Sequence, residues 1–221
     1  MLFFDVRDVL TRRRMGSAVV EFRAFCHADI PHLLTWFQTP AELTQWGGPK
    51  RRFPIDEPQM TALLAETVGT RPGRRIWAGE RRGSLVAIAS AVLDWDQGIA
   101  LLTMVGVAPS ARGQGLAAPF IRQVVQAVFH EPAFERLELN VYTFNTAAIR
   151  TYDALGFVRE GIRRSMVRVG DERWDAAHYA MLRSEYLQHH AMNDDRILVW
   201  GAGAIGGTVG AFLKRAGHDM T

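Results

Sequence analysis

The chain contains one cysteine, Cys26, among its 221 residues. A single cysteine cannot form a disulfide within the chain or a cysteine-rich zinc site, so both are excluded as frameworks for the fold. No apolar run reaches the roughly 18 residues that a membrane-spanning helix needs. The amino end carries charges where a signal peptide needs an apolar core. We therefore expect a soluble, cytoplasmic protein without a membrane partner.

The chain also lacks a large excess of charge of one sign, since the formal net charge is +3 and no long Lys/Arg block is present. Such a mild excess fits an anionic small molecule as easily as nucleic acid, and we expect no nucleic-acid partner. The seven histidines show no metal-ligand spacing, so we expect no metal. Hydrophobic residues make up 48% of the chain, which is enough for a substantial core.

Hydrophobic periodicity and turn residues predict an α+β fold with a mixed, mostly antiparallel sheet and flanking helices. A first strand is predicted at 20–26. Short helices follow at 30–37 behind Asp29, after Thr39 in a capping box with Glu42, and after Asp56. The later predictions are strands at 75–80, 84–93 and 99–107, a helix at 116–130, a strand at 136–142, a helix at 146–155, and strands at 157–169 and 173–182.

Composition divides the chain into four segments. Residues 1–18 form an N-terminal extension, interpreted as a leader or upstream start, with a basic interaction arm as the alternative. Residues 19–187 hold the main domain. Residues 188–195 are polar and typical of a linker, and residues 196–221 begin a second apolar unit that stops abruptly.

The strongest local signal is the run VAPSARGQGLA from Val107 to Ala117, where a strand ends and a glycine loop opens a helix. Free N–H groups at a helix start attract anions, and glycines allow phosphate oxygens to approach the backbone. The spacing Gly113-x-Gly115-x-x-Ala118 also fits a loose dinucleotide fingerprint, but an antiparallel meander is the wrong context for one. An ordinary glycine turn is the remaining alternative. We predict a diphosphate site.

Two motifs resemble those of the GNAT superfamily. The first is the Arg112-x-x-Gly115-x-Ala117 loop, and the second is the N-x-x-A-x-x-x-Y-x-x-x-G-F pattern from Asn145 to Phe157. The resemblance covers about residues 20–187 and implies an N-acetyltransferase that uses acetyl-CoA. The cofactor-binding residues that it implies are Val105, Val107, Arg112, Gly113, Gln114, Gly115, Leu116, Ala117 and Asn145.

The same resemblance implies a catalytic role for Tyr152, as general acid for the coenzyme A sulfur. The general base stays open. In one branch of the superfamily a Glu occupies the position of Asn140, which cannot act as a base. Glu138 lies on the same strand face and is a possible substitute. Asp94 and Asp96 are others, and direct attack by an already neutral amine is equally plausible.

The acceptor is expected to be a primary amine, either a small molecule or a protein N-terminus. Residues 160–182 are similar to the ribosomal-protein N-terminal acetyltransferase branch, and the identity of the acceptor stays open. Of the aromatic residues in the first third, Trp46 is the one that we place near the substrate. The expected oligomeric state is a monomer or a homodimer.

The tail resembles the amino terminus of ketopantoate reductase-type NADP enzymes. An apolar strand runs into a G-x-G-x-x-G loop formed by Gly201, Gly203 and Gly206, so an incomplete Rossmann-type βα unit is predicted. Roughly 26 residues cannot bury a core of their own. We interpret the loop as vestigial and expect no functional NADP binding.

Two other functions remain as alternatives. A non-catalytic, CoA-binding regulatory module is supported by the missing acid at Asn140. A reductase fragment that defines the protein is supported by the tail. Titration with acetyl-CoA and with NADPH distinguishes the reductase from the other two, and turnover with amines distinguishes an enzyme from a binding module.

Overall fold

The computed structural model describes residues 20–191. The expected extension at 1–18 and the apolar unit at 196–221, with Gly201, Gly203 and Gly206, lie outside these residues. The chain divides into two units, Met1–Met181 and Leu182–Thr221. The sheet lies in the first unit. In the second unit, one helix, Arg183–Ala191, is described. The Glu185 carboxylate accepts a hydrogen bond at 2.8 Å from the N–H of Leu182, the residue that precedes this helix.

Between residues 20 and 182 the structure has seven strands and five α-helices, besides two single-turn 3-10 helices. The strands are β1 (Glu21–Ala24), β2 (Arg74–Arg81), β3 (Ser84–Asp94), β4 (Ile99–Val107), β5 (Arg136–Tyr142), β6 (Val158–Val169) and β7 (Glu172–Leu182). The helices are α1 (Ile30–Leu34), α2 (Pro40–Gly47), α3 (Glu57–Ala65), α4 (Ala117–Phe129) and α5 (Thr146–Ala154). The helix of the second unit is α6. Within residues 20–191, no helix is both long enough and apolar enough to cross a membrane.

The strands form one sheet in the order β1-β2-β3-β4-β5-β7-β6. Strands β1, β2, β3 and β4 each pair with the next in antiparallel orientation, and β6 pairs with β7 in the same way. Strands β4 and β5 are parallel, because α4 carries the chain back across the sheet between them. The predicted α+β fold with a mostly antiparallel sheet is therefore confirmed.

The two faces of the sheet are covered by different helices. Residues of α1, α2 and α3 form a buried cluster with Ile76, Ile88 and Met104. On the opposite face, a Cβ placed on Gly79 would lie 3.1 Å from the Phe120 ring of α4. We call the face against α1–α3 the acceptor face. Pairing and strand alternation place Ser90, Thr103 and Leu101 on it, together with Glu138, which pairs with Leu101.

The first helix differs from its prediction. It ends at Leu34 rather than at residue 37, and the Thr35 hydroxyl bonds back to the His32 carbonyl at 2.8 Å. Asp29 does not cap it. Its carboxylate instead accepts two bonds from Arg23, at 2.6 and 2.7 Å, and one from the Cys26 N–H at 2.9 Å. The reason is the arginine on β1, which a local capping pattern does not include.

The next two helices begin where predicted. The Thr39 hydroxyl accepts from the Glu42 N–H at 3.2 Å, and Asp56 accepts from the Gln59 N–H at 3.0 Å. The capping box is only half formed, because the Glu42 carboxylate accepts from the N–H of Gln38 rather than from that of Thr39. Such caps stabilise a helix by about 1 kcal/mol each.

Candidate active site

The glycine loop between β4 and α4 has the geometry of an anion site. Gly113 and Gly115 have φ angles of +73° and +71°, a region that favours glycine, and open space lies where their Cβ atoms would be. Helix α4 begins at Ala117, and no side chain caps it. The N–H groups of its first turn are therefore available to an anion, which the helix dipole also favours.

Neighbouring side chains brace this loop. Gln114 accepts a bond from Arg81 at 2.7 Å and donates one to the Ser110 carbonyl at 3.0 Å. Arg112 donates to the Val107 carbonyl at 3.3 Å. Sequence reasoning missed Arg81, which lies 33 residues before Gln114 and reaches it only because β2 belongs to the same sheet. Two guanidinium groups thus lie at the loop.

Beside the loop, the sheet opens. Parallel pairing of β4 with β5 runs from Ile99 to Leu102 on β4 and stops there, although β4 continues to Val107. After Leu102, Thr103, Gly106 and Val107 pair with β3 on the other side of the strand, and Val105 lies with Met104 in a bulge of that pairing. We call this opening the wedge. It leaves main-chain groups of β4 free to pair with an extended ligand.

Helix α2 spans the wedge on the acceptor face. Trp46 donates its indole N–H to the Met104 carbonyl at 2.8 Å, and the Tyr142 hydroxyl donates to the Thr44 carbonyl at 3.4 Å. Met104 has a φ of +51° within a bulge of β4. Trp46 is only 9% exposed. It forms a wall of the wedge, and its predicted contact with the acceptor stays a prediction.

Helix α5 carries the two residues of the second motif. The Asn145 side chain caps the helix, because its oxygen accepts from the Ala148 N–H at 3.2 Å. Its amide nitrogen and the second lone pair of its oxygen are then left for a cofactor. Tyr152 is 6% exposed and packs edge-on against Phe157. Burial raises the pKa of Tyr152 far above its ordinary value of 10.0, so its phenol stays protonated at neutral pH.

A cluster of charged side chains lies on the acceptor face of β5. Glu138 accepts a bond from Arg136 at 2.9 Å, and Arg136 also donates two bonds to Glu160 of β6, one of them 2.9 Å long. The hydrogen bonds from Arg136 lower the pKa of Glu160. They also raise the pKa of Arg136 itself, chiefly through the bond to Glu160.

His178 of β7 joins this cluster. Its Nδ1 lies 3.2 Å from the Asn140 Oδ1, and its Nε2 lies 3.7 Å from Glu138 and 3.6 Å from Glu160. Sequence reasoning missed His178, because histidines were considered only as metal ligands. The position is 38 residues from Asn140 and becomes its neighbour only because β7 lies beside β5.

An open groove of about 660 Å³ begins at Glu138 and runs over the acceptor face to the turn between β3 and β4. Asp94 and Asp96 line it with Leu101 and Trp95. Both aspartates have structural contacts: Asp94 accepts from the N–H groups of the turn, and Asp96 pairs with Arg71 at 3.1 Å. A volume of this size suits a small-molecule ligand.

Comparison with known proteins identifies the chain. The model of the acetyltransferase (GNAT) family matches residues 33–157, which is more than half of the sequence. The chain belongs to the GNAT acetyltransferase family. It is an N-acetyltransferase, and enzymes of this family use acetyl-CoA as the acetyl donor.

Individual GNAT relatives are more distant. An uncharacterised N-acetyltransferase, YokL, from Bacillus subtilis is 33% identical over 36% of this chain, and the match spans only 45% of YokL. The aminoglycoside N(6')-acetyltransferase type 1 of Klebsiella pneumoniae is 27% identical over 64% of this chain and 75% of its own length.

Solved structures confirm the GNAT fold. The spermidine N-acetyltransferase of Vibrio cholerae, in complex with CoA and spermine, has a TM-score of 0.66 at 19% identity. The match covers 76% of this chain and 98% of that one.

The predicted GNAT site residues fall into two groups. The loop residues Arg112, Gly113, Gln114, Gly115, Leu116 and Ala117 are contiguous, and the loop lies at the end of the strand that carries Val105 and Val107. The predicted catalytic pair is not joined, since no described hydrogen bond or ion pair between residues 20 and 191 links Tyr152 to Glu138. Glu138 instead belongs to the charged cluster around Arg136 and His178.

Proposed function

We propose that this enzyme transfers the acetyl group of acetyl-CoA to a primary amine of a small cationic molecule by direct attack. The observation that carries the proposal is the wedge between β4 and β5, which opens directly beside the glycine loop. A ligand with an anionic end and an extended, amide-bearing arm fits these two features together. Acetyl-CoA has this shape.

The donor side uses mainly the backbone. In this proposal the main chain of Gly113 and Gly115 and the first turn of α4 bind the diphosphate, and Arg112 adds positive charge. The main-chain groups of Val105 and Val107 pair with the pantetheine amides. The fit is supported by the uncapped start of α4 and by the open space in front of both glycines.

The acceptor side uses the groove on the acceptor face. Its carboxylates, Asp94, Asp96 and Glu138, suit an ammonium group. By their names, similar proteins act on an aminoglycoside, on spermidine and on the alanine of a ribosomal protein, and the first two acceptors are small cationic amines. The groove and its three carboxylates are the reason that we propose a small polyamine-like acceptor rather than a protein N-terminus.

The chemistry requires a proton for the departing sulfur. The neutral amine nitrogen attacks the thioester carbonyl carbon, a C–N bond forms, and the C–S bond breaks. We assign Tyr152 as the general acid that protonates the thiolate. Its buried phenol keeps its proton at neutral pH, which supports this role.

The test is turnover with a panel of amines, measured as released thiol. The panel contains spermidine, an aminoglycoside and a peptide with a free N-terminus, each paired with its fully acetylated form as the control. We expect thiol release with at least one free amine and none with the acetylated controls. Binding of acetyl-CoA without release for any amine would instead support the non-catalytic module.

A further inference from the structure

The vertex of the wedge, where β4 and β5 separate, lies beside a histidine. Pairing of the two strands ends at Leu139 on β5, and the next residue is Asn140. The Asn140 side chain contacts the His178 imidazole at 3.2 Å on the acceptor face. The groove ends at Glu138, whose carboxylate lies 3.7 Å from the His178 Nε2, so an acceptor amine that follows the groove to the wedge passes this imidazole.

The hydrogen bonds of His178 define which nitrogen can accept a proton. The Asn140 Oδ1 can only accept, so the Nδ1 that faces it must carry hydrogen. The Nε2 of neutral His178 then holds the free electron pair. Arg136 Nη2 lies 3.4 Å from this nitrogen and can donate its second hydrogen to it in a long bond, besides the much shorter bond to Glu160. An acceptor ammonium would displace this long bond.

Three charged side chains surround Nε2. Glu138 and Glu160 lie 3.7 and 3.6 Å away, and the single positive charge of Arg136 is shared between them. The three groups together carry one negative charge. This surplus attracts an ammonium group to the cluster. About 25% of the His178 side chain is exposed, so water can remove the proton afterwards.

We propose that His178 is the general base of the transferase, with Asn140 as the residue that positions it. This inference rests on the proposed function. The His178 Nε2 takes one proton from the acceptor ammonium, and the neutral amine then attacks the thioester. When the C–S bond breaks, Tyr152 protonates the thiolate, and the second amine proton returns to the phenolate. His178 releases the first proton to solvent.

The first test replaces His178 with Gln and compares it with His130→Gln, a substitution at the exposed end of α4. We expect kcat/KM of His178→Gln to fall about 10²- to 10⁴-fold, with an unchanged Kd for acetyl-CoA. The acid limb of the pH profile, which reports protonation of a base, should disappear in this variant only. Wild-type activity with the acid limb retained would overturn the inference.

Weakly basic acceptors separate the base from a structural role. An amine that is already neutral at the assay pH, such as trifluoroethylamine, needs no base. The deficit of His178→Gln should therefore shrink to less than about tenfold with this acceptor. An equal deficit with both acceptors would show that His178 only supports the structure. A wild-type enzyme that turns over no amine would contradict the proposed function itself.

A second pair of variants tests Asn140 as the positioning residue. Asn140→Asp keeps an oxygen that accepts from Nδ1, whereas Asn140→Leu removes it. We expect Asn140→Leu to lower kcat and Asn140→Asp to restore it, and the carboxylate of Asn140→Asp should also move the acid limb to higher pH. Identical profiles for the two variants would contradict the positioning role.

Discussion

The two sides of the proposed site are built in different ways. The donor side is one short stretch of chain, in which the glycines at 113 and 115 and the start of α4 present backbone groups. The acceptor side is assembled from side chains of three strands, with Glu138 on β5, Glu160 on β6 and His178 on β7. Backbone sites depend on local conformation, whereas clusters of side chains depend on which strands lie together. Only the first kind can be recognised from a motif.

The largest expected effect is on the donor side. Gly115→Glu should abolish acetyl-CoA binding, because the new carboxylate repels the diphosphate and the φ of +71° strains any side chain there. Isothermal titration measures the loss.

Gly170→Glu is the matched control for this variant. It adds the same charge at a φ of +59°, also in open space, in the turn between β6 and β7. Acetyl-CoA binding by a folded Gly115→Glu variant at wild-type affinity would remove the diphosphate site from the loop.

The next effect concerns Tyr152, the proposed general acid. Tyr152→Phe should lower kcat about 10²- to 10⁴-fold and leave the Kd for acetyl-CoA within a few-fold, since the hydroxyl acts only as thiolate charge develops. Single-turnover kinetics measures the chemical step. Tyr186→Phe in α6 serves as the control for loss of a hydroxyl. A wild-type kcat in Tyr152→Phe would contradict the assignment.

Comparison with the same variant also tests how the stability of the wild type depends on pH. Burial raises the pKa of Tyr152 in the folded protein above the ordinary 10.0. The folded state therefore favours the neutral phenol, and the stability of the wild type relative to Tyr152→Phe should fall as the pH rises above about 10. Denaturant unfolding at several pH values measures this difference. A wild-type stability that stays constant or rises relative to Tyr152→Phe above this pH would contradict the burial of the phenol.

A smaller effect tests the charges of the acceptor side. Glu160→Gln should lower kcat/KM for a cationic amine about two- to fivefold, because partly exposed charge pairs contribute ~0.2–1 kcal/mol. The loss should diminish at high salt. Steady-state kinetics at two ionic strengths measures it, with the exposed Glu57→Gln of α3 as the control. A loss that is independent of salt would show that Glu160 acts through packing instead.

The smallest effect returns to the donor side. Arg81→Ala removes the bond to Gln114 and one positive charge near the loop. We expect the Kd for acetyl-CoA to rise about two- to threefold, since an exposed hydrogen bond contributes ~0.5 kcal/mol. Titration of Arg81→Ala beside Arg122→Ala, on the exposed side of α4, measures it. A loss as large as that of Gly115→Glu would mean that side chains, and not the backbone, dominate the donor side.

Most elements of the sheet could be predicted from the sequence. Strands β4 and β5 have the predicted bounds. Helix α4 is one residue shorter than predicted at each end, and α5 ends one residue earlier than predicted. Periodicity, glycine turns and caps such as Thr39 and Asp56 act within a few residues, which is why they are visible in the sequence. Asp29 was wrong as a cap, because Arg23 of another element binds its carboxylate.

The sequence alone determined the family, the order of the strands along the chain and the glycine loop, because each depends on neighbouring residues. Tertiary structure decided where pairing of β4 with β5 stops, which opens the wedge. It also decided that β7 inserts between β5 and β6, which brings His178 to Asn140 and Glu138. Strand order in space is set by packing of the whole sheet, and no pattern local to one strand contains it.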